Sequence, residues 1–151
     1  MTTSLYVGFA LGDVNYALTL ASVERVVDAV WVTPLPDAPN VILGVINVQG
    51  QIVPVVDIRQ RFGLIARDIG CDDKLIIAKS LSGRLALIAD TVVGVVEYAD
   101  TDIIAGESIV PGMVYTDAIA KNHDGVVLIH DLDKFLSLNE EASLQRVLGH
   151  D

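Results

Sequence analysis

Few side chains in this sequence could do chemistry, and their spacing does not assemble them. Three histidines (His123, His130, His150) and one cysteine (Cys71) are the soft metal ligands and the possible nucleophile–base sets. A zinc site needs about four ligands. No second ligand stands at metal-site spacing from any of them, so no metal is expected. Gly106-Glu107-Ser108 opens like a nucleophile elbow, but the closing glycine is Val110 and no strand–turn–helix pattern is evident around it. Asp90-Thr91-Val92 is similar to the Asp-Thr-Gly of aspartic proteases without its glycine. There is no glycine-rich phosphate loop, and no cofactor is expected. Asp57 and Asp131 each follow an apolar run and invite a carboxylate dyad. Aspartate is strongly preferred at helix N-caps, so both are expected to cap the turns that follow. The chain is therefore not expected to be an enzyme; a small hydrolase with an atypical site is the weakest alternative.

The elements that must position any functional residue follow from composition. The 151 residues suffice for one domain, 52% are hydrophobic, and the mean hydropathy is +0.51, so a sizeable core is available. Charged residues amount to 20%. No segment reaches the ~20 uninterrupted apolar residues of a spanning helix, so membrane insertion is not expected. Met1-Thr2-Thr3-Ser4 lacks the basic residues of a secretory signal, and a lone cysteine fits a reducing compartment. A cytoplasmic location is the expectation. The Met1 start and a capped closing helix give the expectation of a complete protein. The net charge of −10 repels phosphate backbones, so no nucleic-acid partner is expected.

Short runs rich in Val and Ile point to strands. Leu5–Leu11 and Tyr16–Leu20 form a hairpin around Gly12-Asp13. Val23–Val32 is a long strand candidate. Thr33–Pro39 carries three prolines and is irregular. Val41–Val48 and Ile52–Ile58 form a second hairpin around Gln49-Gly50-Gln51. Asp57 and Gln60 have capping-box spacing and open a short helix that stops at Gly63. Ser137 and Glu140 repeat that spacing before a C-terminal helix with Leu144, Val147 and Leu148 on one face.

The scheme occurs twice. Tyr16-Ala17-Leu18 matches Leu85-Ala86-Leu87, with Ala17 and Ala86 standing 69 positions apart (86 − 17). Ile52–Ile58 matches Val126–Leu132, with Val55 and Ile129 standing 74 apart (129 − 55). The second half turns at Ser82-Gly83 and at His123-Asp124-Gly125. Two short halves without a Pro/Gly/Ser-rich linker are expected to share one core, with an approximate boundary near 67–74.

The order Thr33–Pro39, then Ile42-Leu43-Gly44-Val45-Ile46-Asn47, then Gly50–Arg59, ending Arg61-Phe62-Gly63-Leu64, closely resembles the CheW family of bacterial chemotaxis adaptors, whose domain also occurs in CheA kinases and CheV proteins. The resemblance covers nearly the whole chain, including Phe9-x-Leu11-Gly12 and Gly125–Phe135, and is weakest from Ala99 to Asn122. It implies an all-β fold of two intertwined five-stranded SH3-like barrels around a shared core. It also implies a non-catalytic scaffold joining the cytoplasmic tip of methyl-accepting chemoreceptors to the regulatory domain of a CheA-type histidine kinase. Gly44, Gly50, Asp57 and Asp131 are its structural positions. Two positions depart from the family pattern. The usual Asn-Leu-Arg-Gly reads Asn47-Val48-Gln49-Gly50, and the usual Val-x-Glu-Ile reads Val23-Glu24-Arg25-Val26. A charged–neutral hydrogen bond between Arg25 and Gln49 is expected in place of the family's ion pair. The resemblance puts the partner-binding surface at Val23, Arg25, Val26 and Gln49. A scaffold of a parallel pathway such as twitching motility, or a CheV-like regulatory module, are the alternatives.

Overall fold

The computed structural model describes residues 2–65, 69–81, 83–109, 116–122 and 125–134. Eleven strands are found among them: β1 (Thr3–Leu11), β2 (Val14–Thr19), β3 (Val23–Asp28), β4 (Ile42–Val48), β5 (Gln51–Val56), β6 (Lys74–Ser80), β7 (Gly83–Ala89), β8 (Thr91–Ala99), β9 (Ile103–Ala105), β10 (Thr116–Asn122) and β11 (Gly125–His130). Among the described residues helix is confined to one-turn pieces, α1 (Ile58–Arg61) and α2 (Gly106–Ile109), and to 3-10 turns. The fold is all-β, as the sequence implied. The C-terminal helix expected from Ser137 onward, and the turn residues Ser82, His123 and Asp124, lie outside the described residues.

The strands form two sheets, ordered β8-β1-β2-β11-β10-β9 and β3-β6-β7-β5-β4. One has the five strands expected; the other gains a sixth, the three-residue β9. Each sheet takes one hairpin from one half of the duplication and its flanking strands from the other. In the first, β1–β2 is flanked by β8 and β11 of the second half. In the second, β6–β7 is flanked by β3 and β5 of the first half. The two exchanges are joined by parallel pairs, β2 with β11 (Ala17 beside Ile129) and β5 with β7 (Val55 beside Ala86). These pairings are the same one repeated: Ala17 and Ala86 are the sequence matches 69 apart, and Val55 and Ile129 those 74 apart. The chain passes between sheets at residues 22–23 and 89–91. The stretch near 67–74 lies within the span that builds the five-stranded sheet, so it does not separate the sheets.

Burial explains the uniformly apolar runs. In β6, Leu75 and Ile77 face a cluster enclosed by their own sheet, while Ile76 and Ala78 face a cluster shared with the other sheet. Successive side chains of a strand point to opposite faces, so a strand buried on both sides shows no alternation. The same division repeats in the matched strands. Ala17 and Ala86 face inward to their own sheets; Tyr16, Leu18, Leu85 and Leu87 enter the shared cluster. Phe9, Tyr16, Phe62 and the buried His130 stack along it, with centroid separations of 5.6 Å (Phe9–Tyr16), 5.4 Å (Tyr16–Phe62) and 4.3 Å (Phe62–His130). At the crossing from β7 to β8, Asp90 accepts from Gly12 N at 2.6 Å and pairs with Arg59 at 2.5 Å, and its own N–H donates to Ala10 O at 3.0 Å. One carboxylate thus ties the first hairpin, α1 and the second crossing.

The structural positions behave as their chemistry requires. Asp57 accepts from Gln60 N at 3.2 Å and caps α1. Gly63 follows at φ 71°, with Leu64 N donating to Arg59 O at 2.8 Å, closing the helix. Asp131 accepts from Asp133 N at 3.0 Å at the start of the 3-10 turn Leu132–Lys134. Gly44 lies against the backbone of Thr33; a Cβ there would sit 2.1 Å from Thr33 O. That approach lets Thr33 pair with Val45 (2.9 and 3.0 Å) and cover part of the outer edge of β4. Two sequence expectations are revised. β3 ends at Asp28 rather than Val32, because the chain turns away toward Pro34 and leaves Trp31 83% exposed. A strand, β9, does run into a helix at Gly106, although the elbow's second glycine is absent.

Leu87 is fully buried in the shared cluster. Leu87→Ala is expected to cost about 2–5 kcal/mol of unfolding free energy in chemical denaturation, from lost transfer energy and the residual cavity.

Candidate functional site

Sheet edges are where a β protein can meet partners, since their backbone groups are unpaired on one side. β3 is such an edge. Its pairing with β6 is broken by a bulge between Val23 and Arg25 that leaves Glu24 out of register. The second half carries the same irregularity: β8 slips against β1 at Val93, 69 residues after Glu24. A bulge bends the strand and re-aims its side chains. Here Glu24 and Arg25 are both exposed, Val26 is 39% exposed, and Val23 is half-buried against the shared cluster.

The β4–β5 turn supplies the other part of the surface. Val48 pairs with Gln51, so only Gln49 and Gly50 form the turn. Their φ values are 51° and 85°, both positive, as a type I′ hairpin turn demands. Asn47 supports it by accepting from Gly50 N at 2.8 Å. Glycine meets this demand without strain; Gln49 does not, because left-handed backbone costs a Cβ-bearing residue about 1–2 kcal/mol. Gln49 extends toward β3, and its amide, oriented to suit its neighbours, accepts from Arg25 Nη2 at 3.1 Å and Nη1 at 3.2 Å. The hydrogen bond expected between these two residues is thus present.

Sequence reasoning missed the residues beside them. Arg84 of β7 donates from Nε to Glu24 Oε1 at 3.1 Å, approaches Oε2 at 3.0 Å, and donates from Nη1 to Gln51 Oε1. It crosses from the third strand of the sheet to both of the neighbouring partners. No local pattern signals this, since the three residues come together only through the exchanged strands. At the far end of β3, Asp28 pairs with Lys74 of β6. The hydrogen bond from Lys74, and then its charge, hold the Asp28 carboxyl below the ordinary range, and the same contact raises the Lys74 ammonium. Both groups are open to solvent.

A second concavity lies around Trp31. Val30, Trp31, Val32, Leu43, Ile69, Cys71 and Ile88 line a groove of about 550 Å³. The lone tryptophan ahead of the proline-rich stretch was its available signal. Among the described residues no three His, Cys, Asp or Glu side chains converge as metal ligands, and no helix is long and apolar enough to cross a membrane. The four residues expected to form the partner surface fall on one edge and its adjoining turn; Asp57 and Asp131 are engaged as caps.

Comparison with known proteins follows the same lines. The model of the CheW-like domain matches residues 5–140. The Chemotaxis protein CheW of Helicobacter pylori is 26% identical over 132 residues, 87% of this chain and 80% of that one. Protein FrzA of Myxococcus xanthus is 30% identical over 119 residues, 79% of this chain and 71% of that one. The crystal structure of the scaffolding protein TtCheW from Thermoanaerobacter tengcongensis superposes with a TM-score of 0.83 at 30% identity, covering 92% of this chain and 96% of that one.

Two measurements check this geometry. Arg25→Ala is expected to change unfolding free energy by less than about 1 kcal/mol, as for other exposed polar pairs, when read by urea denaturation. Lys74→Ala should return the Asp28 pKa upward toward the ordinary carboxylate value in an NMR titration. Because Asp28 is lowered in the folded state, whatever stability this pair gives is present above the unfolded pKa and is lost as pH falls through the folded one.

Proposed function

The chain belongs to the CheW-like domain family, and from that premise we propose that it couples the cytoplasmic tips of methyl-accepting chemoreceptors to the regulatory domain of a CheA-type histidine kinase. Members of the family are non-catalytic scaffold proteins of chemotaxis, and the chain is not an enzyme. The observation that carries the coupling role is the combination of one interlocked body with separate exposed surfaces. A scaffold must hold two partners at a fixed separation, which a body with a shared core can do and two loosely linked units cannot. The β3 edge with its adjoining turn, and the groove beside Trp31, are two distinct surfaces of that body. Val23, Arg25, Val26 and Gln49 are the proposed receptor-facing residues. The apolar pair supplies the desolvated part of the contact, and the polar pair sits beside it as a rim, the usual arrangement of an interface. The working place of such an adaptor is the cytoplasm, where both partners present these domains.

A second reading is favoured by the two departures at Arg25 and Gln49 and by the similarity to FrzA: the same scaffold role in a parallel chemosensory pathway, with a receptor of different surface charge. The CheV-like module has no observation of its own in favour.

Calorimetric titration against the regulatory domain of a CheA-type kinase from the same organism tests the proposal. Saturable one-to-one binding is the expected result. No binding to any such kinase would remove the coupling role and leave only the family's fold.

A further inference from the structure

The chain carries 20 carboxylate side chains against 10 lysines and arginines. In such an excess a cation is expected to find a carboxylate, and Arg84, Lys74 and Arg59 do. Arg84 pairs with Glu24 at 3.0 Å, Lys74 with Asp28, and Arg59 with Asp90 at 2.5 Å. Arg25 does not: among the described residues its guanidinium meets no carboxylate, and its side-chain partner is the neutral amide of Gln49. Glu24, its chain neighbour, is already held by Arg84.

A neutral acceptor orients a guanidinium without cancelling its charge. Arginine has five N–H donors in a fixed fork. The single oxygen of Gln49 takes one from Nη1 and one from Nη2, which leaves three, Nε–H among them, on the outer sides of the plane. The side that carries Nε–H and one outer Nη–H matches the two oxygens of a carboxylate. Gln49 occupies this place at φ 51°, where a glycine would be less strained, and its long amide is what reaches Arg25. At Arg25 the fold itself does not call for a side chain, because the matching bulge of the second half carries Gly94, 69 residues on.

We infer that Arg25, held by Gln49, is the specificity-determining contact of this surface, and that it receives an aspartate or glutamate side chain of the receptor tip. This rests on the receptor-coupling reading above. The exposed Val26, with the part of Val23 left open, brings the partner against the strand, and the cation on the same strand selects a partner with a carboxylate at that place. A partner with a basic side chain there is rejected, because like charges facing each other across an interface are costly.

The test is binding of a receptor cytoplasmic tip fragment from the same organism to the wild-type chain, to Arg25→Glu and to Arg25→Gln, at low and high salt, with the kinase regulatory domain titrated in parallel. Thermal melts confirm that the variants fold. Arg25→Glu should weaken tip binding by tenfold or more and Arg25→Gln by less, with kinase binding unchanged. The wild-type tip affinity should fall with salt more steeply than that of Arg25→Gln. Reversing one acidic residue of the tip to arginine should restore binding to Arg25→Glu. Tip binding by Arg25→Glu at wild-type strength would overturn the inference and leave the scaffold reading intact. Equal loss of tip and kinase binding in a folded variant would also overturn it, since Arg25 would then not be selective. A wild-type chain that binds the kinase but no receptor tip would remove the receptor-facing assignment, and one that binds neither would remove the coupling role itself.

Discussion

The molecule depends on one pairing made twice: a parallel contact between the second strand of one half and the last strand of the other. Ala17 beside Ile129, and Ala86 beside Val55, are the two instances. Parallel strands need long connections, and here each connection is itself most of a sheet. Neither half can complete a sheet without the other. The outer strands β3 and β8 follow from this, because each is the third strand of its half and is laid against the first strand of the opposite one. The shared cluster follows too, since the faces of β2 and β7 that carry Tyr16, Leu18, Leu85 and Leu87 have only the other sheet to pack against. Asp90 fixes the second crossing in place by binding groups of both the first hairpin and α1.

From this constraint comes a body suited to holding others. Its core is closed and its carboxylates at Asp57 and Asp131 are consumed by capping, while what remains exposed is edge, turn and groove. The edge at β3 owes its form to a bulge that the second half repeats, yet the chemistry of the two bulges has diverged: Glu24 and Arg25 in one, Val93 and Gly94 in the other. A duplicated frame with unlike edges gives one chain two kinds of contact. That is the requirement of an adaptor, and it needs no catalytic group.

Much of this was legible in the sequence. The two spacings, 69 and 74, identified the strands that turn out to be equivalent, and matched pairs even share a register. The caps at Asp57 and Gly63 and the turn at Gln49-Gly50 were readable because each rests on neighbours within a few residues. What the sequence left hidden is which strands lie side by side. Side-chain alternation reports the face of a strand, not its partner, and Leu75-Ile76-Ile77-Ala78 has no alternation to read. The reciprocal exchange was for that reason not readable from the strands and was implied only by the family resemblance; the boundary expected near 67–74 divides the duplicated halves, whereas the chain changes sheet at 22–23 and 89–91. The end of β3 was misplaced because Val30, Trp31 and Val32 have strand propensity but follow the prolines away from the sheet. The meeting of Arg25 and Gln49 was expected from the family resemblance alone; the bridge from Arg84 to Glu24 and Gln51 has no signal in either half.

The claim that these sheets form one inseparable body is tested most directly by native-state hydrogen exchange of the amides in β2, β11, β5 and β7. The account predicts that both parallel seams exchange through a single opening whose free energy equals that of global unfolding. Exchange of one sheet at a distinctly lower free energy, with the other still protected, would contradict it and describe two units that open independently.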